Sequence, residues 1–180
     1  YRKNFFNCQP ALNYGFGQPN KDHSWEQPVT AEGPQKTRRE LMKIMDFWMD
    51  MGADGFRVDM AHSLIKNDPD YEETNKLWYE VRTHFQDKYP EGIIIAEWGD
   101  PAKAIKAGFM FDFIIHLRNK GYSSLFFNKV GTYTQDTCYF SLEGNGTPAL
   151  FRDYFIKQLA AVGNEGYTCI PTSNHDFQRP

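Results

Sequence analysis

The feature that most limits what this chain can fold into is its alternation of short apolar runs with amphipathic helical patterns. GIIIAE (92–97) is the sharpest of these runs, with four apolar residues between a glycine and a carboxylate. A run so short, bounded by turn residues, reads as a strand buried on both faces, as in a parallel sheet. ADGFRVDM (53–60), FMFDFIIH (109–116) and GYTCIPTSNHD (166–176) are three further strand candidates. Helical patterns lie before and between them. Thr37 and Glu40 are spaced as a capping box, and Leu41, Ile44, Met45 and Trp48 follow at helical spacing before Gly52. Asp70 and Glu73 repeat the box, Leu77, Trp78, Val81 and Phe85 form a second apolar stripe, and Pro90 ends it. PAKAIKAG (101–108) predicts a short helix, and PALFRDYFIKQLAAVG (148–163) an amphipathic one closed by Gly163.

Helix, strand, helix, strand, short helix, strand, helix, strand is the order of parallel βαβ units. Four strands with covering helices fit half of an eight-stranded barrel: an α/β fold, a partial (β/α)8 TIM barrel. An open doubly wound sheet is the alternative, but no glycine-rich phosphate loop follows any strand candidate. Residues 1–35, rich in Gly, Pro, Asn and Gln, have no sustained period and read as a loop-like region; residues 36–180 carry the barrel pattern. The chain opens on Tyr1 and closes on NHDFQRP, inside what reads as a functional loop. It is therefore expected to be a piece of a longer protein.

Composition narrows the partners. A formal net charge of -3 over 180 residues offers no electrostatic footprint for nucleic acid or an anionic membrane surface. No apolar run approaches the roughly 20 residues that span a bilayer. Cys8, Cys138 and Cys169 are far apart and odd in number, which suits buried free thiols better than a metal motif or disulfide framework.

The carboxylates fall in a pattern. One strand candidate ends Arg57-Val58-Asp59, the next ends at Glu97, and the last leads to His175-Asp176. Strand ends of a parallel barrel face one way, so these acids are expected at one pocket mouth. Convergent carboxylates push their pKa values apart, leaving one as a proton donor and another ionised. Arg57 and Asp59, two apart on a strand, point to the same face, so the arginine would hold the aspartate charged. An ionised nucleophile and a protonated acid roughly 5–5.5 Å apart are what a retaining glycosidase requires. Each element has a plainer reading. Arg-x-Asp is a common surface ion pair, Glu97 could cap a helix, and His-Asp could sit in any polar loop. Trp25, Trp98 and Phe177 could be packing rather than sugar platforms. Their shared place at strand ends is what favours chemistry.

On these residues the chain resembles the α-amylase family of glycoside hydrolases. DGFRVD (54–59) is similar to the family's fourth-strand motif, IIIAE (93–97) to its fifth and SNHD (173–176) to its seventh. The resemblance implies that Asp59 is the nucleophile, Glu97 the general acid/base and Asp176 the third carboxylate. It also implies substrate-binding roles for Arg57, His175, Arg179 and Met60. QPALN (9–13) is similar to a motif near the end of the family's inserted loop domain, with Ala11 where members acting on short oligosaccharides carry an acid. His62 stands where many amylases carry a lysine. The implied substrate is an α-glucan or α-gluco-oligosaccharide, cleaved with retention, and the subgroup resembled is α-glucosidase or oligo-1,6-glucosidase. Glucan transglycosylation, sucrose- or trehalose-converting chemistry, or a non-catalytic amylase-like transporter subunit remain alternatives. No organic cofactor or metal site is expected in this stretch; calcium is compatible with the intact protein, but its ligands are not identifiable here.

Overall fold

The computed structural model describes residues 6–114, 120–126, 138–142, 144 and 147–176. The chain forms two compact units, Tyr1–Ile94 and Ile95–Pro180.

In the first unit, α1 (Glu32–Asp50) leads to β1 (Gly55–Val58), a 3-10 turn (Ala61–Ser63) and α2 (Glu72–Lys88). β2 (Ile93–Ala96) begins here, tied to the start of β1 by Ile93 N–H donating to the Asp54 carbonyl at 3.0 Å. Gly55 permits this approach. Its φ is +155°, and a Cβ there would lie 2.0 Å from the Ile93 carbonyl oxygen. The stripe on α2 packs as its spacing requires, with Leu77, Trp78, Val81 and Phe85 all buried.

The second unit holds the end of β2, then α3 (Pro101–Ala107), β3 (Phe111–Phe113), α4 (Lys120–Phe126), α5 (Ala149–Val162) and β4 (Tyr167–Cys169). β2 pairs with β3, and β3 with β4, in parallel; Ala96 lies opposite Asp112, and Asp112 opposite Thr168. With β2 shared, the strand order is β1-β2-β3-β4. Sequential parallel strands with intervening helices are the pattern of a barrel wall, and among the described residues no order reversal marks a doubly wound sheet. Ile114, Tyr122 and Leu125 form a local core with Phe151, Tyr154 and Phe155 of α5 packed against it.

Several local expectations need correction. The first helix starts at Glu32, five residues before Thr37, whose hydroxyl donates back to the Gly33 carbonyl at 3.2 Å instead of capping. Pro34 sits in its first turn, where a missing N–H costs nothing. Of its apolar stripe only Met45 is buried, while Ile44 and Trp48 stay more than half exposed. The second helix is capped by Asp68, not Asp70: its carboxylate accepts from Thr74 N–H at 2.8 Å and the Thr74 hydroxyl at 2.7 Å. β2 buries Ile94 and Ala96 only; Ile93 is exposed, so the strand is not covered on both faces. α4 forms on a glycine- and serine-containing sequence for which no helix is expected, and α5 leaves Leu150, Ile156 and Leu159 exposed, so its apolar residues do not form one clean stripe. Cys8 is exposed, and Cys138 and Cys169 are half-buried; all three are free thiols.

Candidate active site

In the first unit the site begins where β1 ends. Asp59 is the first residue past Val58, and Arg57 Nη1 donates to its Oδ1 at 2.6 Å. The pair is what two same-face positions on a strand produce. Asp59 is 69% exposed, so its carboxylate is open to solvent. The chain then turns sharply. Met60 adopts a left-handed conformation at φ +42°, costly for a side chain of this kind and found where surroundings enforce it. Here the enforcement is visible: Ser63 donates both its N–H and its hydroxyl to the Met60 carbonyl, each at 2.9 Å. Trp78 of α2 donates its indole N–H to the Ala61 carbonyl at 2.8 Å, in a fully buried contact. The turn that carries Asp59 and Met60 is thus braced from the core. His62 lies within it, half-buried.

In the second unit Glu97 is the first residue past β2 and is half-buried. Directly after it, three consecutive backbone N–H groups converge on one side chain. Trp98 and Gly99 donate to Asp112 Oδ1 at 2.9 and 3.3 Å, and Asp100 to its Oδ2 at 2.9 Å. Gly99, at φ +77°, supplies the curl that lets successive amides point one way. Asp112 is wholly buried in the middle of β3. Burial pushes its carboxyl up to about 6, against the pull of these backbone donors. Asp100 in turn caps α3, accepting from Lys103 N–H. The sequence reading does not single out Asp112, although a carboxylate inside the apolar run FMFDFIIH is the signal that marks it.

His175 and Asp176 follow β4 on an exposed loop, with His175 Nε2 3.5 Å from Asp176 Oδ2. Asn174 shapes this loop by accepting the Asp176 N–H at 2.9 Å. Arg179 and Phe177 lie outside the described residues. Of the other aromatics, Trp98 is fully buried packing. Trp25 is half exposed, stacks on His23 at 5.2 Å, and lines a cleft of about 230 Å³ together with Leu12, Tyr14 and Lys66. In QPALN, Gln9 accepts the Phe6 N–H, and Asn13 donates to Gln27 at 2.7 Å. Among the described residues no three His, Cys, Asp or Glu side chains cluster as a metal site. Among the same residues no helix is long and apolar enough to cross a membrane.

Asp59 and Glu97 are each the first residue past a strand, and Arg57 holds Asp59 from two residues earlier. Residues 21–179 match the family model described as alpha amylase, catalytic domain, and the chain belongs to that family. The chain is 30% identical over 101 residues to a trehalose synthase of Pimelobacter sp. (strain R48), covering 54% of this chain and 14% of that protein. It is 37% identical over 76 residues to an oligo-1,6-glucosidase of Bacillus sp. (strain F5), covering 41% of this chain and 13% of the relative. Among solved structures it resembles the isomaltulose synthase of Erwinia rhapontici NX5 with a TM-score of 0.56 and 15% identity. That alignment covers 97% of this chain and 36% of that one. The four strands and their helices are therefore part of a (β/α)8 barrel of the alpha-amylase type. Enzymes of this family are glycoside hydrolases and transglycosylases that act on α-glucans.

Proposed function

We propose that the intact protein carrying this chain is a retaining glycoside hydrolase of α-glucosidic bonds in starch-derived or related α-gluco-oligosaccharides. The observation that carries the reading is the Arg57–Asp59 pair at 2.6 Å directly after β1, in a chain of the alpha-amylase catalytic family. In this reading residues 1–35 are the end of an inserted loop domain and residues 36–180 the central part of the catalytic barrel.

The steps follow from the residue types. Glu97 gives its proton to the glycosidic oxygen while the Asp59 carboxylate attacks the anomeric carbon, forming a glycosyl ester and releasing the leaving sugar. Glu97, now ionised, takes a proton from water, whose oxygen attacks the same carbon and frees Asp59. Two inversions give net retention. Arg57 orients Asp59 and supports its negative charge. Asp176 and His175 bind hydroxyls of the distorted ring, and Met60 and Arg179 add substrate contacts. Barrel strands share one mouth, which is how residues from several strand ends serve one sugar.

Asp59→Asn tests the reading in the intact enzyme. Turnover of maltose and isomaltose should fall by about 10³-fold or more while the fold is kept, because the replaced side chain is exposed. Unchanged turnover in that variant refutes the assignment. The 180-residue stretch by itself is expected to be inactive, since half a barrel lacks its remaining walls.

A second reading keeps the same acids but passes the glycosyl group to a sugar hydroxyl. Similarity to a trehalose synthase and to an isomaltulose synthase favours considering it. Product analysis with excess glucose separates the two: free glucose alone marks hydrolysis, and new disaccharides mark transfer. A non-catalytic amylase-like subunit is disfavoured by the presence of all three acids, Asp59, Glu97 and Asp176.

A further inference from the structure

We propose that Asp112, buried in β3, is the positioning residue for Glu97: its carboxylate gathers the amides of Trp98, Gly99 and Asp100 and thereby fixes the turn that carries the acid/base. The inference rests on the reading of Glu97 as the acid/base. It concerns how that residue is aimed.

The geometry refers both sides of Glu97 to one residue, by its backbone before Glu97 and by its side chain after it. On the N-terminal side Ala96 is the register partner of Asp112 across the parallel ladder. On the C-terminal side the Trp98 amide belongs to the same rigid peptide plane as the Glu97 carbonyl and Cα. Its N–H donates to Asp112 Oδ1 at 2.9 Å, so the plane that leaves Glu97 is held. Gly99 and Asp100 extend the hold over the next two residues. Successive amides turned toward one anion form a concave nest, and here the protein supplies the anion itself. The hold continues into α3. Asp100 caps that helix, and Gln158 of α5 accepts from Ala102 N–H at 2.9 Å. Beyond Glu97, therefore, the chain is fixed by hydrogen bonds before it becomes regular again.

The position also breaks a local rule. A wholly buried side chain in a strand of the sequence FDF would ordinarily be apolar, and burial works against this carboxylate, as its raised pKa shows. A cost of this kind is expected where a site needs a particular geometry. A turn that served only the fold could be closed by an apolar side chain and a different loop. This one directs three donors at a charged acceptor directly behind a strand-end glutamate.

The test uses the intact enzyme and Asp112→Asn. Asparagine Oδ1 can still accept from Trp98 and Gly99, but its NH₂ faces the Asp100 N–H, donor against donor. The turn should loosen by a fraction of an ångström, enough to misdirect a general acid. Two substrates read this out through kcat/KM, which reports the step that breaks the glycosidic bond. Maltose has a poor leaving group and needs the proton; 4-nitrophenyl α-glucoside has a good one and needs it far less. The expected result is a loss of roughly 10–100-fold on maltose with a loss of less than about threefold on the aryl glucoside. Amide exchange at Trp98, Gly99 and Asp100 should accelerate in the same variant. Equal losses on the two substrates, or no loss on either, overturn the inference. Glu97→Gln, run in parallel, separates the two levels. If it loses maltose cleavage while Asp112→Asn behaves as wild type, the acid assignment stands and the positioning role falls. If Glu97→Gln cleaves maltose normally, both fall. Should Asp112→Asn fail to fold, Gly99→Ala strains the same turn at φ +77° without altering the buried carboxylate, and the same leaving-group asymmetry is expected of it.

Discussion

At neutral pH, replacing Asp112 by asparagine should stabilise the protein even as it impairs the turn behind Glu97. The carboxyl is wholly buried, and that burial lifts it from 3.8 to about 6 despite the backbone amides that favour the anion. At 1.36 kcal/mol per pH unit, this displacement makes the ionised side chain unfavourable to the folded state by about 3 kcal/mol. Below about pH 3.8 folded and unfolded chains both carry the proton, and the carboxyl costs nothing extra. Between 3.8 and about 6 the unfolded chain ionises first, so stability attributable to this group falls as pH rises. Above about 6 both states are ionised and the full penalty is present. Asparagine has the same shape and no charge, so it escapes the penalty but loses one good acceptor for the Asp100 N–H, worth about 1–2 kcal/mol. The variant should therefore be less stable than wild type near pH 4 and more stable, by about 1–2 kcal/mol, near pH 7. Urea unfolding of both proteins at the two pH values, followed by tryptophan fluorescence, measures the crossing. A variant less stable than wild type at both values, with no change in the difference, would mean the amide donors outweigh burial and refute the reasoning.

Substitutions at three further positions probe the frame around Asp59 and the start of β2. Gly55→Ala places a Cβ 2.0 Å from the Ile93 carbonyl oxygen, so β1 must part from β2; a loss of about 3 kcal/mol or more is expected in the same unfolding assay. Trp78→Phe removes the indole N–H that holds the Ala61 carbonyl at 2.8 Å, leaving a buried acceptor unpaired. It should cost about 2 kcal/mol and lower kcat more than it raises KM, because the braced turn carries Asp59. Asp68→Ala deletes the acceptor at the start of α2 and should cost about 1–2 kcal/mol, with Asp68→Asn recovering part of the loss. A neutral result for the alanine variant would show that the cap is dispensable.

Much of this was legible in the chain before any coordinates. The α2 stripe of Leu77, Trp78, Val81 and Phe85 is a periodic signal, and periodicity reports burial directly when one face meets one core. The placement of Asp59 and Glu97 just past strands follows from apolar runs that end on an acid, and the Arg57–Asp59 pair follows from strand alternation. These are local properties, carried by neighbours in sequence. What the sequence did not disclose depends on how the folded backbone aims a side chain and on what then covers it. Asp68 captured the cap expected of Asp70 because the turn before α2, not the spacing, aims the carboxylate at Thr74. Ile44 and Trp48 have helical spacing yet remain exposed, since periodicity names an apolar face but not what covers it. Asp112 looked like one acid in an apolar run; only the register of β2 against β3 set it beneath the amides of Trp98, Gly99 and Asp100. The sequence alone determined which residues carry reactive groups. The tertiary structure decided which of them are aimed, because orientation is set by hydrogen bonds across the sheet, between residues that the linear order keeps apart.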